Sequence, residues 1–178
     1  MKKSFVLFAV LVLLIAGITA LAQTEAPFDF YARGPYRENV PRPQSILRFD
    51  VGTHHTTYGQ MEQVIIAIAK AAPDRVKIFE IGTTPEHRMQ YAIAISAPEN
   101  MQRLDEIRAA NNRLTDPRKI SRSEADTIAA NNPAIAWMAY TIHGNESASF
   151  EAMMQVVYQL AASNDSATLD VLKNVVTV

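Results

Sequence analysis

The chain has 178 residues, 48% of them hydrophobic and 20% charged, with a formal net charge of −1. That is enough for one domain with a real core, and it gives no electrostatic case for nucleic acid or for an anionic membrane surface as a partner. Cysteine is absent, which excludes disulfide staples and a lipid-modified N-terminal Cys and leaves stability to packing.

The first 22 residues read as a secretory signal. Lys2 and Lys3 form a positive n-region, Phe5 to Ile18 is apolar apart from Gly17, and Ala20-Leu21-Ala22 supplies a small-x-small pattern with the cut predicted after Ala22. The apolar run borders on the length of a membrane span, but it ends in small residues and no stop-transfer cluster follows. Cleavage would leave 15 basic against 18 acidic residues. The expectation is a secreted or periplasmic protein with no membrane attachment once the signal is removed.

Residues 23–54 are rich in Pro, Arg and aromatics, without a period of 2 or 3.6, and read as an extended arm lying across the domain. Thr57 and Gln60 then fit a capping box, and Met61, Val64, Ile65, Ile68 and Ala72 follow at helical spacing until Pro73. Asp74 to Gly82 reads as a strand. From Arg88 to Ser96, Met89, Tyr91, Ile93 and Ile95 alternate with smaller residues at strict period two. The two runs are expected to pair as a hairpin with Glu86-His87 at its tip.

Ser96 with Glu99, and Ser121 with Glu124, repeat the capping pattern for two further helices, one carrying Met101, Leu104 and Ile107 and the other Ala125 and Ile128. Between them lies a basic loop, Arg113 to Lys119, read as a solvated face. Ala134 to Ile142 is a near-continuous apolar run, the signature of a strand covered on both faces. The helix after it places Phe150, Met153, Met154, Val157, Leu160 and Ala161 on one stripe. A short helix around Leu169 and an apolar strand, Asn174 to Val178, close the sequence. The order predicts an α/β fold, a mixed central β-sheet with helices on both faces. A final apolar strand with no helix after it to cover it suggests that the sequence is truncated.

Chemistry concentrates at one point. Between the predicted strand and the long helix stand His143 and Glu146, an imidazole and a carboxylate three residues apart. A catalytic zinc site takes three protein ligands and keeps a position for water. Two of them would come from His143 and Glu146, beyond the carboxyl end of a strand, where open α/β sheets place their ligands. Gly144 would allow the tight turn between them, and Ser147 would cap the following helix. The plainer reading is a polar loop with a hydrogen-bonded histidine. His54-His55 reads as a solvated loop, and Met153 and Met154 as core.

Ile142-His143-Gly144-Asn145-Glu146 resembles the zinc-binding H-x-x-E of the zinc carboxypeptidase family. Thr57 to Val76 resembles that family's first helix and its run into the first strand, and Ile81 to Ser96 its hairpin. The resemblance covers residues 55–178, as the N-terminal part of a catalytic domain, and implies an α/β sandwich around a mixed eight-stranded sheet. It implies Zn2+ as cofactor, His143 and Glu146 as ligands, and a peptide or protein substrate cleaved near its C-terminus. The third ligand, the general base and the substrate-binding arginines are expected beyond Val178. Two departures stand out. His87 occupies a hairpin position where many members have Gly, and Asn145 one where digestive members have an arginine. The alternatives are a deacylase or amidase of the same fold acting on acylated amino acids, and a non-catalytic binding relative.

Overall fold

The computed structural model describes residues 28–178; the predicted signal, residues 1–22, lies outside them. The chain divides into two compact units, 1–32 and 33–178. In the described part of the first, the Tyr31 N–H donates to the Asp29 carboxylate at 2.9 Å. Among the described residues no helix is long and apolar enough to cross a membrane.

The stretch after Arg33 is tied down at many points. Backbone bonds join Arg37 N–H to Ala162 O and Asn164 N–H to Pro35 O, Arg37 forms a bidentate ion pair with Asp74, and the Asn39 side chain donates to Ala71 O. A short helix, α1 (Pro43–Leu47), buries Pro43 and Leu47. Helix α2 (Tyr58–Ala71) opens with the full capping box: Thr57 Oγ1 accepts from Gln60 N–H, and the Gln60 side chain accepts from Thr57 N–H. Its apolar stripe buries Val64, Ile65 and Ile68.

Strands β1 (Val76–Thr83) and β2 (Met89–Ile95) pair antiparallel as expected, from Val76 opposite Ile95 to Thr83 opposite Met89. The register shifts between Glu80 and Gly82, so Ile81 is an extra residue, and Gly82 adopts φ +153°. This is a β-bulge in a backbone region that favours glycine. At the hairpin tip His87 takes φ +62°.

Ser96 does not open the next helix. It follows directly on β2, fully buried, and its hydroxyl bonds to Leu172 O and Val175 O. The helix begins instead after Ala97, with Pro98 in its first turn, and it breaks in two: α3 (Pro98–Met101) and α4 (Leu104–Leu114). Asn100 joins Ser96 by donating to the Leu172 and Lys173 carbonyls. Helix α5 (Arg122–Asn131) is capped by Ser121 as predicted, its hydroxyl accepting from Glu124 N–H at 3.3 Å. The Glu124 carboxylate pairs with Arg113 rather than reaching back.

The remaining elements are β3 (Ala134–Ala136), α6 (Ser147–Ala162), α7 (Ser166–Asn174) and β4 (Val175–Thr177). Among the described residues the sheet has four strands in the order β1-β2-β4-β3, with β4 antiparallel to β2 and parallel to β3. It is therefore mixed, as expected. The large residues of β2 look toward α2 and α6 across a cavity of about 580 Å³, which Trp137, Met138 and Tyr140 also line. On the other face Ala94 and Val176 pack on Ile107, with Met101 and Leu104 around them. The small side chains of β2 are what let α4 approach.

The run Ala134–Ile142 is not a buried central strand. Only Ala134–Ala136 forms strand, at the sheet's edge, and Trp137 and Ile142 are 70% and 78% exposed. Val178 N–H donates to Ala136 O and Met138 N–H to Val178 O, and residues 139–142 have no strand opposite them among the described residues. Apolar composition signals burial only where a neighbour exists to cover it.

Candidate metal centre

His143 and Glu146 lie in the connection from β3 to α6, where a turn is closed by Glu146 N–H donating to His143 O at 3.0 Å. That turn brings the side chains together: His143 Nδ1 is 3.1 Å from Glu146 Oε1. Both are well exposed, at 69% and 61%. Two donors on one tetrahedral zinc, with metal–ligand bonds of about 2.1 Å, stand about 3.4 Å apart. As it stands the contact is a hydrogen bond, the plainer reading of this turn; its length is also close to the ligand spacing, and an imidazole nitrogen with a carboxylate oxygen is a suitable donor set for zinc. Among the described residues no group of three or more His, Cys, Asp or Glu side chains could hold a metal ion. The pair thus fits as two of the three protein ligands that a catalytic site requires.

Neither of the expected local devices is used. Ser147 is the first residue of α6 rather than its cap; Glu146 occupies the cap position and makes no side-chain cap bond. Gly144 is not in the left-handed region, and a Cβ there would meet nothing within 4 Å. The unusual backbone belongs to Thr141, at φ +58°. Its N–H donates to Ser149 Oγ at 3.1 Å, the two hydroxyls lie 3.1 Å apart, and Ser149 Oγ in turn reaches Glu146 O at 3.1 Å.

One turn further on, Glu151 is buried, and its two oxygens accept from Thr56 N–H and Thr56 Oγ1. This fastens α6 to the segment that leads into α2. Sequence reasoning missed both Ser149 and Glu151. Glu151 carried a signal: it is in helical phase with Met154 and Tyr158, so a carboxylate stands on the buried face and needs donors there. Beside it a groove of about 470 Å³ is lined by Gly52, His54, His55, Ser147 and Glu151 among others. His54 and His55 are exposed; His54 Nδ1 is 3.0 Å from Thr53 Oγ1, and its ring lies against Phe49. Tyr140, three residues before His143, has its phenol pushed up by partial burial.

The fold defines a class, a mixed α/β protein. The zinc carboxypeptidase family model matches residues 61–178, and the chain belongs to that family. Membership brings hydrolase chemistry and a Zn2+ cofactor with it. No curated protein matches the sequence.

Proposed function

We propose that the protein is an exported zinc carboxypeptidase, hydrolysing peptide bonds near the C-termini of peptide or protein substrates, with His143 and Glu146 as two of its three zinc ligands. The observation that carries this reading is the 3.1 Å approach of His143 Nδ1 to Glu146 Oε1, within the residues matched to the family. When bound, zinc lowers the pKa of its water to about 7 and polarises the scissile carbonyl. In this chain His143 and Glu146 would hold the ion, and the turn between them fixes their mutual distance. Their exposure leaves the site open to a substrate as large as a peptide. The apolar N-terminal run supports export.

Zinc titration and peptide cleavage by the full-length native polypeptide test this. A stoichiometric zinc site removed by His143→Ala, with cleavage of peptides bearing a free C-terminal carboxylate but not of blocked ones, is the expected result. Hydrolysis of acyl-amino acids instead would move the assignment to the deacylase reading, and absence of a zinc site would end both.

A further inference from the structure

We propose that Ser149 is the positioning residue of the His143–Glu146 pair, its hydroxyl bracketing the metal-binding turn from both ends. The inference rests on the reading of that pair as zinc ligands. A serine hydroxyl has one hydrogen to give and two lone pairs to offer. Ser149 gives its hydrogen to Glu146 O, so the hydroxyl contact with Thr141 runs the other way, Thr141 donating. The second lone pair takes Thr141 N–H. One side chain is thus saturated by the residue two before His143 and by the carbonyl of Glu146 itself.

The arrangement has work to do. Thr141 sits at φ +58°, a backbone region that β-branched residues avoid, and it stays there only if something holds it. Both bonds from Thr141 end on Ser149. The turn itself contributes two further bonds, Glu146 N–H to His143 O and the contact of His143 Nδ1 with Glu146 Oε1, the latter between two exposed side chains. With no glycine required at position 144, the shape of this loop is set by the hydroxyl rather than by backbone freedom. Ser149 stands in the first turn of α6, an element anchored by Met154 and Tyr158 in the core, so the reference point is rigid.

The test uses the full-length polypeptide and two readouts: zinc affinity by chelator competition, and amide exchange at Thr141. Ser149→Ala is expected to weaken zinc about tenfold, in the range typical of outer-shell partners. It should speed exchange of the Thr141 amide while leaving Met154 and Val157 protected, and Ser149→Thr, which keeps the hydroxyl, should restore both. Alanine is the better helix former, so α6 should survive. If the α6 core amides do lose protection, Thr141→Val decides: it removes one leg only, and about threefold weaker zinc is expected. Wild-type zinc affinity in Ser149→Ala, or in Thr141→Val where that variant decides, overturns the proposal. If the unmutated protein has no zinc site that His143→Ala removes, the ligand reading fails, and unchanged Thr141 exchange in Ser149→Ala would show separately that Ser149 does not bracket the turn.

Discussion

The Glu151 carboxylate receives both the N–H and the hydroxyl of Thr56, at 2.7 and 2.8 Å, across 95 residues of sequence. Glu151 and Thr56 are buried, and among the described residues the carboxylate has no ion pair, so these two bonds offset its desolvation. Glu151→Ala leaves a buried N–H and hydroxyl without a partner and should lower stability by about 1–3 kcal/mol. Glu151→Gln keeps one acceptor but turns an amide donor toward a donor, and it should cost less than alanine but more than zero. Urea unfolding of the three proteins orders them. An alanine variant as stable as the parent would mean that water satisfies Thr56.

Asp165 caps α7, its carboxylate accepting from Ala167 and Thr168 N–H. The hydroxyls of Ser163 and Thr168 bond to it as well, and together they hold its pKa at about 2. That is below the unfolded value of about 3.9, so the contribution to stability is complete above that value and is lost as pH falls through about 2. Asp165→Ala should cost about 1 kcal/mol at neutral pH. The gap between variant and parent should close as pH falls from 4 to 2. A gap that persists at pH 2 would assign the effect to packing.

Tyr91 presents the opposite sign. Its hydroxyl donates to Glu62 Oε1 at 2.8 Å, and Tyr58 donates to the same oxygen at 3.2 Å. The hydrogen bond to Glu62 pushes the Tyr91 phenol up to about 12. A folded-state pKa above the usual value near 10 gives stability that is complete below that value and is lost as pH rises through about 12. Spectrophotometric titration should show Tyr91 ionising late, and Glu62→Gln should bring it down. Ionisation of Tyr91 near 10 in the unmutated protein would contradict the bond.

What the sequence revealed was local and periodic. The Thr57–Gln60 capping box, the apolar stripe of α2 and the alternation along β2 each depend on neighbours a few positions away, and each appears in the structure. The stretch Ala134–Ile142 failed because its pattern could not say whether a second strand lies beside it. Ser96 failed for a related reason: a serine three residues before a glutamate looks like a capping box, but burial between β2 and α7 gave its hydroxyl the carbonyls of Leu172 and Val175 instead. At the site, the spacing of His143 and Glu146 was enough to bring them together. Ser149 was invisible because its value depends on the left-handed backbone of Thr141, which no residue type announces.

His87 occupies that same left-handed region, at φ +62°, where the resemblance to zinc carboxypeptidases leads one to expect glycine. For a residue with a Cβ this conformation costs about 1–2 kcal/mol relative to the right-handed one. The turn bond, His87 N–H to Thr84 O at 2.9 Å, is made by the backbone and would survive substitution. Glycine removes the steric cost, but it also gives the unfolded chain more freedom, which opposes the gain by about 0.4–1 kcal/mol. The first effect is the larger, so His87→Gly should stabilise the protein by about 0.5–1 kcal/mol. His87→Ala, which keeps the Cβ, should gain nothing. A rise in denaturation midpoint for the glycine variant alone is the expected result. Equal midpoints for all three proteins would mean that the hairpin tip relaxes at no cost and that the backbone there is unstrained.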